Sequence, residues 1–259
     1  MDAVYVCRSG QNFELRFSLR SLARFVPHDQ VHIVGGWPPW VDGTAVQLHD
    51  RPAAATKYAT TTAHLRYACE RPDISDPFML WNDDFYALSP MGDVGEACGL
   101  HRGPLEQVVS RYRAMKGAWA DGLRATAAHL ARLLPGPLWC YELHVPLVVH
   151  KAHMLHAISI AETLGVAAPH KRTLYGNLAR LGGREVRDWK VTRANQQLPP
   201  DGWCSSDDAG FPAAVAPVLK RLLPDPSPYE IRAGSSPRSA RSSARSTTRT
   251  GRPGSRSPR

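Results

Sequence analysis

Two adjacent carboxylates, Asp83 and Asp84, follow an apolar run, Phe78-Met79-Leu80-Trp81, with only Asn82 between. Pro77 and the polar 73–76 stretch bound the run on its other side, so it reads as a short buried strand. In open α/β sheets the C-terminal edge of the strands is where ligands bind. Carboxylate oxygens at that edge suit hard cations such as Mg2+ or Mn2+, which share their coordination with substrate phosphates. Asp83 and Asp84 are therefore the candidate metal ligands, and a nucleotide diphosphate is the natural guest. An isolated Asp-Asp pair equally caps a turn or solubilises a strand end, so the surrounding sequence has to decide. Asn82 either orients the pair or ends the strand.

Other residues carry matching chemistry. Arg8 sits just beyond the first apolar run and can hold a phosphate through its planar fork. His144 is the general-base candidate, because imidazole titrates near neutrality and Val145-Pro146 holds the backbone extended. Glu142 lies two residues before it, which in an extended strand places both side chains on one side, where Glu142 orients the base or shares a metal. A basic cluster, His170-Lys171-Arg172, suits a distal phosphate or the acceptor, with Arg172 the leading candidate. Arg16 and Arg20 share a helix face and either help hold phosphates or face solvent. Arg66 reads as structural.

The elements that must position these groups alternate. Ala3 to Cys7 is a buried strand, and Arg8 to Asn12 has turn chemistry with Asn12 as helix N-cap. Leu15, Leu19, Leu22 and Val26 recur at helical spacing while Arg16, Arg20 and Arg24 take another face, and Pro27 closes that helix. Val31 to Val34 is a second strand ended by Gly35-Gly36, so the opening unit is strand, helix, strand with a parallel pair implied. A rigid Trp37-Pro38-Pro39-Trp40 loop, a short strand over Ala45 to Leu48 and a helix over Thr56 to Cys69 lead to the carboxylate strand, which this order places inside the sheet. Helical composition runs from Pro104 to Leu134, and a further helix from Lys151 to Leu164. Lys171 to Pro228 reads as loop-rich, with a helix over Phe211 to Leu223 interrupted near Pro217. The expectation is one layered α/β domain with a mostly parallel sheet and a helical C-terminal half.

The domain is expected to span residues 1–232 of the 259. Residues 233–259 contain only Ala, Gly, Ser, Pro, Thr and Arg, with no large apolar side chain to offset chain entropy, so this tail is expected to be disordered. It holds seven of the arginines and no acid, so the formal charge of +9 leaves +2 for the rest (9 − 7 = 2). Such a tail attracts anionic partners in a salt-sensitive way, or simply solubilises the chain. A non-catalytic nucleic-acid-binding protein is the competing reading, against which stand the confinement of charge to the tail and the lack of a nucleic-acid-binding motif. Five widely spaced cysteines, Cys7, Cys69, Cys98, Cys140 and Cys204, include no CxxC. Their odd number argues against both a zinc ribbon and a disulfide framework, so a reducing cytoplasm is expected. No signal peptide or transmembrane run is visible.

Several segments, in order, resemble one family. Asn12-Phe13-Glu14-Leu15-Arg16-Phe17-Ser18-Leu19-Arg20-Ser21-Leu22, the strand His32-Ile33-Val34 with Trp40 after it, Asn82-Asp83-Asp84, Glu142-Leu143-His144-Val145-Pro146 and Arg172-Thr173-Leu174-Tyr175-Gly176-Asn177 are similar to blocks of the Stealth family of sugar-phosphate transferases. They resemble equally the short glycosyltransferases of actinobacterial phages. The resemblance implies a GT-A-like domain that binds a nucleotide-sugar with a divalent cation, Mn2+ or Mg2+, held by Asp84 and Asp83, and a host-cytoplasmic location if the chain is phage-encoded. It adds Lys57, in Thr56-Lys57-Tyr58-Ala59, as a residue facing the donor. Asp84 then counts among the catalytic residues with His144 and Glu142, because metal-bound carboxylates stabilise a departing diphosphate. Glycosyl transfer to a glycan or protein acceptor is the leading activity, and sugar-1-phosphate transfer the alternative.

Overall fold

Alternation along the first strand decides the layering. In β1 (Ala3–Cys7) the side chains of Ala3, Tyr5 and Cys7 enter one apolar cluster and those of Val4 and Val6 the other, as a strand buried on both faces requires. Met79 and Trp81 of β4 (Phe78–Trp81) join the first cluster, and Phe78 and Leu80 the second. The computed structural model describes residues 1–92, 99–194, 196–200 and 202–231. Cys98 and the tail from 233 onward lie outside the described residues.

The main sheet has the order β3-β2-β1-β4-β6, with β2 (Val31–Gly35), β3 (Gln47–Asp50), β1 and β4 parallel and β6 (Leu147–Val149) antiparallel to β4. The chain steps outward from β1 through β2 to β3, then crosses back to place β4 on the other flank of β1. That reversal opens a crevice beyond the C-terminal ends of β1 and β4, the place where doubly wound sheets bind ligands. The carboxylate strand is interior, as its place in the sequence implies.

Helix α1 (Phe13–Phe25) covers one face. The Asn12 side chain accepts from Leu15 N at 2.9 Å, and Leu15, Leu19 and Leu22 are buried at helical spacing. Helix α2 (Lys57–Glu70), capped by Thr56, buries Leu65, Ala68 and Cys69 against the opposite face. There it is joined by α3 (Leu105–Arg111), α4 (Ala118–Leu133), α5 (Lys151–Thr163) and α6 (Lys171–Leu178). The helical stretch expected over 104–134 is divided ahead of α4 at Gly117, whose φ of 106° favours glycine.

Lys171 to Pro228 is more ordered than its composition suggests. Besides α6 it supplies β7 (Lys190–Val191) and β8 (Trp203–Ser206), which with β5 (Phe85–Ala87) form a second sheet in the order β5-β8-β7. Strands this short, paired with partners far along the chain, leave no periodic signal. Gly176 inside α6 looks like a helix breaker, yet a Cβ there would come within 2.3 Å of the Tyr141 ring, so close packing demands it. The final helix is a π-helical turn, Phe211–Val215, running into α7 (Ala216–Leu222). Pro217 sits in the first turn of α7, one residue past the point where the π turn gives way to α geometry, so the helix changes character near it as expected.

The expected phosphate-facing role of Arg16 is corrected by its surroundings. Arg16 Nε lies 3.3 Å from Glu230 Oε2, and its guanidinium stacks over Trp40 at 4.7 Å. Arg20 grips the same carboxylate with two bonds of 2.7 and 2.9 Å and reaches the Leu223 carbonyl at 3.0 Å. Burial pushes Glu230 up, but hydrogen bonds from Arg20 and Ser227 outweigh it and hold the carboxyl below its ordinary range. The face read as solvated is thus a latch that fastens the last described segment to α1, reinforced by Ile231 N donating to Trp40 O at 2.9 Å. Glu230→Ala should lower unfolding stability by about 3 kcal/mol, since it leaves a partly buried arginine without its partner. Urea denaturation measures this, and an unchanged midpoint would show that the latch is dispensable.

Candidate active site

A cleft of about 980 Å3 opens beyond the ends of β1, β2 and β4 and runs between the N-terminus of α2 and the β7–β8 edge. Acids converge on it from three elements: Glu14 from α1, Asp83 and Asp84 after β4, and Asp207 and Asp208 after β8. Arg8, Arg51, Lys57 and Lys190 supply the opposing charge. Of the sequence candidates the cleft therefore gathers Asp83, Asp84, Arg8 and Lys57.

The carboxylate turn is held from beneath. Trp81 Nε1 donates to Ser18 Oγ at 2.9 Å, and Ser18 Oγ donates to Phe85 O at 2.7 Å. Phe85 N in turn donates to Asn82 O at 3.2 Å and closes the turn. Asn82 thus contributes its carbonyl to the turn that ends the strand. Asn12, already the cap of α1, donates its Nδ2 to Asp83 Oδ2 at 2.5 Å. One side chain therefore starts a helix and orients a carboxylate, a double role invisible in the cap signal alone.

Burial pushes Asp84 up to about 6, with the Asp83 charge adding to the rise and Lys190 opposing it from 3.8 Å. Burial likewise raises Asp83. Glu14 is pushed up to about 7 by burial and by Asp83, against the bond that Ser206 Oγ donates to it at 3.2 Å. The cluster thus resists simultaneous ionisation, which is the environment that a divalent cation relieves. Among the described residues no three His, Cys, Asp or Glu side chains form a ready-made metal group. Two carboxylates nonetheless fit a Mg2+-type ion, which completes its shell with phosphate oxygens and water.

The geometry around His144 departs from expectation. Residues 140–144 form no strand, and Glu142 and His144 engage different partners. Glu142 instead accepts from Thr173 N and Thr173 Oγ1 at 3.1 and 3.2 Å, the partner set of a structural, half-buried acid. The orienting carboxylate is Asp188, which accepts from His144 N at 3.1 Å and pairs with His144 Nδ1 at 2.9 Å. Burial raises Asp188, but the bond and charge of His144 outweigh it and bring the carboxyl below its ordinary range. The His144 ring stands edge-on to Phe85 and near enough to Asp84 for its charge to act there, although it does not line the cleft itself. Arg172 is also corrected: it is half-buried, donating to Leu143 O at 2.6 Å and to Val145 O, and so it holds the His144 loop rather than a ligand.

Glu14, Asp188, Lys190, Asp207 and Asp208 were not among the sequence candidates. One signal was present. Trp203-Cys204-Ser205-Ser206 followed by Asp207-Asp208 repeats the pattern of a buried strand ending in two acids, but its two serines disguise the apolar run. Arg8 pairs with Asp208 at 3.3 Å, both well exposed.

No protein-family model matches this chain, nor does any curated protein. Among solved structures, the galactosyltransferase LgtC in complex with donor and acceptor sugar analogues is similar, with a TM-score of 0.53 at 12% identity over 86% of this chain and 95% of that one. An active-site mutant of LgtC gives 0.51 at 12% identity over the same shares. The fold is of the GT-A glycosyltransferase type. No helix among the described residues is long and apolar enough to cross a membrane.

The crowded acids have a measurable consequence. The folded-state pKa of Asp84 lies above its ordinary 3.8, at about 6. Its contribution to stability is therefore fully present below about pH 4 and lost as pH rises through about 6. Asp84→Asn should accordingly raise the thermal midpoint by several degrees at pH 8 and leave it unchanged near pH 4. Equal shifts at both pH values would show that charge crowding is not the cause.

Proposed function

We propose that this chain is a glycosyltransferase that binds a nucleotide-sugar in the cleft and transfers its sugar to an acceptor hydroxyl. The observation that carries the reading is the Asp83-Asp84 turn, set at the reversal point of a GT-A-type sheet and faced by four cations. A Mg2+ or Mn2+ ion held by Asp83 and Asp84 would supply Lewis-acid stabilisation of the leaving diphosphate. Lys57, at the N-terminus of α2, favours the nucleotide's phosphates, and Arg51, whose guanidinium stacks on Tyr67 at 4.6 Å, adds its charge to the same cleft. Arg8 and Lys190 meet the charge that develops on the leaving oxygen.

His144 serves as the base. Its Nδ1–H donates to Asp188, which leaves the Nε2 lone pair to take the acceptor proton. The acceptor oxygen bonds to the anomeric carbon while the bond from that carbon to the diphosphate breaks, and the electron pair departs with the nucleoside diphosphate. The product also separates this activity from sugar-1-phosphate transfer, which releases a nucleoside monophosphate.

Donor profiling tests the proposal: purified protein is offered several nucleotide-sugars with Mn2+ or Mg2+, and the released nucleotide is identified. A nucleoside diphosphate is expected, lost with EDTA and in Asp84→Ala. A monophosphate would establish the phosphotransferase instead, and full turnover in EDTA would remove the cation. His144→Ala should lower kcat by about 10² to 10⁴, while Asp188→Asn should lower kcat less and displace its pH profile. A change confined to the donor KM would make His144 a binding residue.

A further inference from the structure

Beside the donor cleft lies a second compartment of about 500 Å3, walled by Phe13, Phe17, Phe211, Pro212 and Ala216, with the exposed Lys220 also lining it. Arg8, Glu14 and Asp208 line both spaces, so the two are joined, and the Arg8–Asp208 ion pair spans their boundary. That pair is weak because both partners are exposed, so it yields readily to a ligand that draws on either charge.

The walls of this compartment are aromatic and fixed. Phe211 stacks on Tyr86 at 6.0 Å and 21°, and Phe17 packs against Phe211 at 6.1 Å. Phe211 belongs to the π-helical turn, a departure from α geometry that is frequent at functional sites. Phe13, in the first turn of α1, is 60% exposed, more than any other large apolar side chain among the described residues. Nothing in the packing of α1 requires an exposed aromatic there, and its position at an apolar hollow is what a ligand site would use. A volume near 500 Å3 lies within the range of small-molecule pockets.

The donor's charged groups are served by the polar cleft, which leaves the adjoining apolar space for the other substrate. We propose that this compartment seats the acceptor, and that the acceptor carries a planar apolar group beside the hydroxyl to be glycosylated. The assignment of the occupant as acceptor rests on the glycosyltransferase reading above. Phe13 and Phe211 hold the planar group by stacking, and Glu14, shared by both spaces, marks where the compartment opens onto the donor cleft.

The test uses the full chain with matched methyl and 4-nitrophenyl glycosides of glucose, galactose and mannose as acceptors. For at least one sugar the 4-nitrophenyl glycoside should have a KM about tenfold lower than its methyl partner, and Phe13→Ala should bring that ratio close to one. Because Phe13 is exposed, the variant should fold, and its thermal midpoint verifies this. A wild-type ratio near one, or a ratio that Phe13→Ala leaves unchanged, overturns the inference. Saturation-transfer NMR of the 4-nitrophenyl glycosides with the protein alone separates the two readings. Transfer to the nitrophenyl ring that is lost in Phe13→Ala supports an aryl site even if no donor turns over, and the absence of transfer in the wild type overturns it.

Discussion

The buried hydroxyl of Ser18 is the constraint on which the site depends. It receives the Trp81 indole N–H and donates to the Phe85 carbonyl, so α1 is bonded to both sides of the turn that carries Asp83 and Asp84. Tyr5 OH lies 3.2 Å from the same oxygen, which ties in β1 as well. A carboxylate pair with raised proton affinity is a source of strain, and the turn would relax toward water if its backbone were free. The Ser18 hub removes that freedom, because breaking it leaves buried polar groups unsatisfied. The location of the acids is thus set by an uncharged interaction beneath them.

The same logic places the second acid pair. Phe85 pairs with Ser205 and Ala87 with Trp203, so β5 continues the main-sheet turn directly into the second sheet. Asp207 and Asp208 reach the cleft because β8 is in register with the strand that leaves the Asp83-Asp84 turn. Acids remote in sequence are thereby brought to one wall through a ladder of backbone bonds.

What the sequence disclosed follows from the range of each signal. The opening strand, helix, strand unit and the interior Asp-Asp strand were legible because their apolar periodicity and caps are local. The short strands of the second sheet were not, since pairing over long sequence distances does not mark the residues that pair. The reading of Glu142 with His144 failed for a related reason: a spacing of two fixes a shared side only within a strand, and here no strand forms and Thr173 takes Glu142. Asp188 supplies the partner from a loop that sequence could not place. Arg16 and Arg20 had the spacing of a solvated face, and only the return of Glu230 reveals them as partly buried anchors.

The latch formed by Glu230 has a consequence for the order in which the protein matures. The strands of the parallel sheet and the Ser18 hub lie within the first 87 residues, so the crevice and its first acid pair can assemble early as the chain leaves the ribosome. The opposing wall waits for β8, and the fastening of α1 waits for Glu230. Domains fold during synthesis from the N-terminus, so a nascent chain passes through a stage with half a donor site. A chain that ends between β8 and Glu230 holds both acid pairs but not the latch, so the order of translation times when the cleft is complete.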